Sequence, residues 1–137
     1  MTKEQLARLA KGAMENAYAP YSGCTVGAAL LCDDGTVYLG SNVENASYGV
    51  TNCAERTAFF KAVSEGKRRF SAIAVCGGKD GVVAKGFPPC GVCRQVMREF
   101  CADDFLVYVV SQNEIVSHTL KELLPQSFGP SQICEKA

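Results

Sequence analysis

Apolar residues near the N-terminus recur at helical spacing. Leu6, Leu9, Ala10, Ala13, Met14 and Ala17 share one face of a helix expected over residues 4–18, which Pro20 and Gly23 end. A continuous apolar run follows, TVGAALLC over 25–32, and reads as a buried strand. The turn signal Asp33-Asp34-Gly35 and a second run, TVYLG over 36–40, complete a β-hairpin. Residues 42–52 are polar without a clear period and read as a loop. Helical spacing returns over 53–65, where Ala58, Phe59, Ala62 and Val63 face inward and Gly66 closes the segment. FSAIAVC over 70–76 is a third strand. Residues 77–89 are rich in Gly, Lys and Pro, and the pair Pro88-Pro89 disfavours helix, so a loop is expected. A third helix spans 90–101 with Val92, Val96, Met97 and Phe100 as its apolar face. FLVYVV over 105–110 is a fourth strand, Ile115-Val116 part of a short fifth, and TLKELLP over 119–125 a short helix stopped by Pro125.

This order predicts an α/β fold: three layers, α/β/α, with helices on both faces of a mixed sheet of about five strands. No repeat, low-complexity tract or linker interrupts it, so a single domain over 1–137 is expected. At 137 residues, 47% hydrophobic and 20% charged, the chain has the composition of a soluble globular protein that needs no disulfide framework. Fourteen basic and fourteen acidic side chains cancel. Neutrality argues against a protein that grips a nucleic-acid backbone and weakly favours self-association. No stretch approaches eighteen apolar residues, and the N-terminal segment is a polar-faced helix rather than a secretory signal. A cytoplasmic protein with no membrane partner is therefore expected, and its eight cysteines are better read as metal ligands, redox thiols or core residues than as disulfides.

The chemistry concentrates at two helix beginnings: Cys53-Ala54-Glu55, and Pro89-Cys90-Gly91-Val92-Cys93. Cys, one residue, Glu, then Pro-Cys-x-x-Cys is a pattern that resembles the signature of zinc-dependent deaminases. Three protein ligands, Cys53, Cys90 and Cys93, leave one tetrahedral position of a single Zn²⁺ open for water, the catalytic rather than the structural arrangement. Helix N-termini favour thiolate over thiol. Zinc with three thiolates nevertheless totals minus one, which makes it a poorer Lewis acid. Arg56 and Arg94 stand beside the ligands and are the candidates to withdraw that charge by hydrogen bonding to sulfur; Arg56 is favoured. Glu55 is the candidate catalytic group. It would take a proton from water and deliver it to ring N3 of a pyrimidine while hydroxide adds to C4, then pass a proton to the departing amine.

Blander readings compete. Cys90-Gly91-Val92-Cys93 taken by itself suits a redox pair on a helix N-terminus; Cys53, Glu55 and Pro89 turn it toward metal. Cys24, Cys32, Cys76, Cys101 and Cys134 stand singly, as buried small hydrophobes do. His118, the one histidine, reads as a surface or turn residue, and Lys67-Arg68-Arg69 as a solvated helix end. By composition, Asn42 and Glu44 are ordinary loop residues.

PYSGCTVGAAL, NVENASYG, CAERTA, PCGVCRQVMREF and ELLPQSFGP, in that order over about residues 18–130, resemble the small homotetrameric cytidine deaminases of pyrimidine salvage. The resemblance implies hydrolysis of cytidine and 2'-deoxycytidine to uridine and 2'-deoxyuridine plus ammonia. It implies that Asn42 and Glu44 grip the ribose 3'-hydroxyl, that the Ala54 N–H holds pyrimidine O2, and that the Pro88 carbonyl receives the leaving amine. Tyr48 and Phe128 are expected to reach a neighbouring subunit's site, so that a homotetramer shares its active sites. The chain departs from the family at Cys24, where Phe usually flanks the base, and at Pro88, where a small hydroxyl residue is common. Loss of the ring removes stacking worth about 0.5–1.5 kcal/mol. A relative acting on a modified cytosine nucleoside, or on a base within nucleic acid, is the alternative enzyme. A zinc-binding or thiol redox module without hydrolytic activity is the alternative of another class.

Overall fold

The structure, a computed structural model, describes residues 1–134; the last three residues of the expected domain lie outside the described residues. Four α-helices and five strands follow in the order α1 (Lys3–Ala13), β1 (Cys24–Cys32), β2 (Val37–Ser41), α2 (Ala54–Ser64), β3 (Phe70–Lys79), α3 (Gly91–Phe100), β4 (Leu106–Val110), β5 (Ile115–Thr119) and α4 (Leu120–Leu123). The strands form one sheet in the order β2-β1-β3-β4-β5. β3 and β4 run parallel, joined through α3, and the remaining neighbours are antiparallel. The mixed sheet and the three layers agree with the sequence.

Strand alternation sorts the core into two layers. On β1, Val26, Ala28, Leu30 and Cys32 face α2 and α3, together with Ile73 and Val75 of β3 and Val107 and Val109 of β4. Ala29, Ala72, Ala74 and Cys76 point the other way, against Leu6, Ala7, Ala10 and Met14 from α1 and its extension. The first layer carries the aromatic cluster of Phe59 with Phe70, Phe100 and Phe105. It is also the layer on which the site is built.

Three boundaries differ from the sequence expectation. The first helix is α-helical only to Ala13 and tightens to a 3₁₀ turn over Met14–Asn16. β3 runs on through Gly77 and Gly78 to Lys79, pairing with β1 as far as Cys24. Those glycines are there because the space is crowded: a Cβ on Gly77 would lie 2.7 Å from the Phe87 ring, and one on Gly78 1.7 Å from the Val82 carbonyl oxygen. β5 is longer than Ile115-Val116, and His118 lies within it, paired with Val107. Among the described residues no helix is long and apolar enough to cross a membrane.

Candidate active site

α2 and α3 each begin on a cysteine. Cys53 and Cys90 occupy the N-cap positions, and neither side chain bonds to its helix's free N–H groups. At the starts of α1 and α4, by contrast, Thr2 and Thr119 close full capping boxes. A cap residue normally satisfies one of those donors; here the sulfurs are left to meet one another. Cys53 Sγ lies 3.8 Å from Cys90 Sγ, and Cys90 Sγ lies 3.6 Å from Cys93 Sγ, one turn into α3. All three sulfurs fall within 4.8 Å of one another. Zinc–thiolate bonds of ~2.3 Å at the tetrahedral angle set sulfurs ~3.8 Å apart, so this donor set fits zinc in both spacing and softness. The cluster supplies three protein donors, which leaves one tetrahedral position for a water molecule.

The convergence depends on how α2 is seated. Gly40 of β2 faces the start of that helix, and a Cβ there would lie 2.2 Å from the Ala54 carbonyl oxygen and 2.6 Å from the Ala58 nitrogen. Glycine at this position lets the helix N-terminus approach the sheet closely. Ala54, the first helical residue, is fully buried, and its N–H is one of the donors an α-helix leaves without an internal carbonyl.

Charge is managed on the spot. Arg56 Nη2 donates to Cys53 Sγ at 3.2 Å. The neighbouring Cys93 sulfur and then Arg56 outweigh burial and hold the Cys53 thiol below its ordinary range. Cys93, beside the Cys53 sulfur and buried, is held above the usual thiol range. Glu55, next to Ala54, is only 4% exposed. Burial pushes its pKa up to about 7, with its own backbone N–H opposing and the Cys53 charge reinforcing the rise.

Arg94 does not share the task of Arg56, and the expectation for it is corrected. Its Nε donates to the Pro89 carbonyl and its Nη1 to the Leu123 carbonyl, each at 2.8 Å. It braces the segment entering α3 against α4. The physical cause is helical phase: Arg56 follows its cap cysteine by three residues, Arg94 by four, and the extra residue turns the side chain through ~100°.

A cavity of about 220 Å³ opens beside the sulfurs, lined by Cys24, Asn42, Glu44, Glu55 and Pro88 along with Cys53 and Cys90. Asn42 is buried; its Oδ1 accepts from Val26 N at 2.8 Å and its Nδ2 donates to the Cys24 carbonyl at 2.8 Å. One Nδ2 hydrogen remains for a ligand. Glu44 accepts from the Ser22 hydroxyl and from the N–H groups of Ser22 and Tyr21, which together hold its carboxyl below the ordinary range against the opposing effect of burial. Three of about four acceptor sites are then in use, leaving one for a hydroxyl.

Tyr48 and Phe128 lie outside this cavity. Tyr48 is 74% exposed and meets Tyr21 edge to face at 5.8 Å, over an adjoining depression. Phe128 is 58% exposed, its carbonyl accepting from Gln95 Nε2. Of the single cysteines, Cys32, Cys76 and Cys101 are buried as expected, whereas Cys134 is exposed and Cys24 lines the cavity. Phe87 lines it too, and sequence reasoning did not single it out. The available signal was one aromatic residue in a loop of Gly, Lys and Pro, directly before Pro88. A larger depression of about 580 Å³ beyond the C-terminal end of α3 holds no comparable chemistry. Its Arg98 is taken up by Ser127, Asp103 and the Cys101 carbonyl.

Residues 1–109 match a family model described as the cytidine and deoxycytidylate deaminase zinc-binding region. The chain is 49% identical to a cytidine deaminase of Sporosarcina psychrophila over 134 residues, covering 97% of this chain and 96% of that protein. It is 54% identical to a cytidine deaminase of Halalkalibacterium halodurans over 129 residues, 93% of this chain and 95% of that one. Among solved structures, the cytidine deaminase of Burkholderia pseudomallei superposes with a TM-score of 0.85 at 47% identity, over 93% of this chain and all 100% of the other. That of Mycobacterium tuberculosis gives 0.80 at 40% identity, over 94% and 98%.

Proposed function

The chain belongs to the family of cytidine and deoxycytidylate deaminases, zinc-binding hydrolytic enzymes, and from that membership we propose that it hydrolyses cytidine and 2'-deoxycytidine to uridine and 2'-deoxyuridine with release of ammonia. One observation supports this most strongly: three sulfurs cluster at zinc-ligand spacing, and two of them line one cavity together with a buried carboxyl.

Cys53, Cys90 and Cys93 hold one zinc ion, which when bound supplies Lewis-acid activation of water. Arg56 withdraws part of the thiolates' excess negative charge. Glu55 is the proton carrier: it takes a proton from the attacking water and gives one to ring N3 as the water oxygen adds to C4. It then takes the remaining proton from the oxygen added at C4 and passes it to the amine as the C4–N4 bond breaks. The water oxygen becomes O4 of uridine, and ammonia leaves toward the Pro88 carbonyl. The Ala54 N–H orients the base through O2, and Cys24 stands beside the ring. Asn42 and Glu44 take the ribose 3'-hydroxyl with the hydrogen-bonding capacity that the 21–26 segment leaves them.

The active unit is a homotetramer of single-domain chains in which Tyr48 and Phe128 complete a neighbour's site. Their exposure supports this, since two large aromatic rings stand in solvent on the isolated chain. The working place is the cytoplasm and the working role pyrimidine salvage. A substrate panel tests the function. Cytidine and 2'-deoxycytidine should release ammonia while free cytosine and single-stranded oligonucleotides should not; turnover confined to oligonucleotides would overturn it.

A further inference from the structure

Given the deaminase reading above, on which this inference rests, we propose that Phe87 is the aromatic wall of the base pocket and a specificity-determining residue for the pyrimidine ring. Phe87 is the one aromatic residue lining the cavity that holds Glu55 and two of the sulfurs. Cys24, which also lines the cavity, presents only a thiol.

The ring is held by its surroundings. Pro88 follows it, and a residue before proline is confined to extended backbone. Gly77 of β3, paired with Val26 of β1, lies under the ring. A Cβ built on Gly77 would sit 2.7 Å from Phe87 Cδ1 and 3.1 Å from Val26 Cγ2. Glycine therefore leaves the room in which the ring is seated, one side packed on the core and another on the cavity. A flat apolar surface positioned in advance costs little ordering when a planar base arrives. Phe87 also precedes Pro88, so the ring that contacts the base and the carbonyl assigned to the leaving amine sit on one stiff segment.

The test replaces the ring while keeping its apolar volume, as Phe87→Leu and Phe87→Met, with zinc content and melting temperature measured beside the kinetics. KM for cytidine should rise about two- to tenfold with kcat within about twofold, the loss expected when an aromatic contact is removed from binding. Zinc per chain should not change. Adding Cys24→Phe to Phe87→Leu should recover much of the lost affinity by restoring a ring to the same pocket, which a core-filling role would not produce. Unchanged KM in folded, zinc-loaded variants would overturn the proposal. So would failure of both variants to fold, which would assign the ring to the core. Absence of cytidine turnover in the unaltered chain would sink the deaminase reading itself, and this inference with it, whereas an active chain with indifferent Phe87 variants sinks this inference only.

Discussion

Arg56 Nη2 lies 3.2 Å from the sulfur of Cys53, three residues back at the cap of the same helix. With Cys90 and Cys93 the proposed ligand set would bring three negative charges around a divalent ion, and Arg56 donates to one of its sulfurs. Arg56→Ala should therefore lower kcat/KM by about 10–100-fold and weaken zinc retention, the range found when partners of metal ligands are removed. Steady-state kinetics and a zinc competition assay measure both. Wild-type values for the two together would remove Arg56 from the site.

Glu55 is buried beside the sulfurs without being one of them. Glu55→Gln keeps the shape and removes the proton carrier. Zinc per chain should stay at the wild-type level while kcat falls by about 10²–10⁴-fold, the usual contribution of a positioned acid–base group. Loss of zinc in parallel with activity would instead make Glu55 a structural support for the ligands.

Arg94 predicts a different outcome from its neighbour in sequence type. Its two bonds to the Pro89 and Leu123 carbonyls tie the start of α3 to α4. Arg94→Ala should cost about 1–3 kcal/mol of stability, as loss of charged hydrogen bonds does. Activity measured well below the melting temperature should change much less than in Arg56→Ala. Thermal melts and kinetics on the two variants, side by side, separate bracing from charge compensation.

The pH dependence of stability should fall on the alkaline side. Burial pushes the Cys101 thiol up to about 12, against an unfolded value of about 8.5. A raised acid binds its proton more tightly when folded, so its stabilising contribution is full below about pH 8.5 and is lost as pH climbs from there toward 12. Cys32 and Cys76, raised mainly by burial, act with the same sign. Urea midpoints should decline between pH 8 and 10, and Cys101→Ala should flatten that decline. An unchanged slope in the variant would mean that other groups dominate.

The layers and the clustering of the three sulfurs were legible in the sequence because each is written locally. Continuous apolar runs over 25–32 and 70–76 mark strands buried on both faces, period 3.6 along 53–65 and 90–101 marks the helix faces turned inward, and Cys-x-x-Cys spacing at a helix start puts two sulfurs on one side. What depends on contact between distant segments was not legible. Gly77 and Gly78 read as loop punctuation, yet they are strand residues crowded by the 82–87 segment. Arg56 and Arg94 look alike beside their cysteines until helical phase separates them. Nothing near Asn42 or Glu44 in sequence announces that both hold the 21–26 segment, and Phe87 acquires a partner only when Gly77 comes beneath it.

Whether the three-cysteine cluster holds one catalytic zinc ion per chain is tested most directly by counting zinc per chain and measuring cytidine turnover on the same samples, as a chelator removes the metal and zinc is then returned. The expected result is one zinc per chain at full activity, turnover falling in proportion to zinc lost, and recovery on reloading, with Cys53→Ala neither retaining zinc nor recovering. Full turnover in zinc-depleted protein, or a reducible Cys90–Cys93 disulfide in place of stoichiometric zinc, would contradict it.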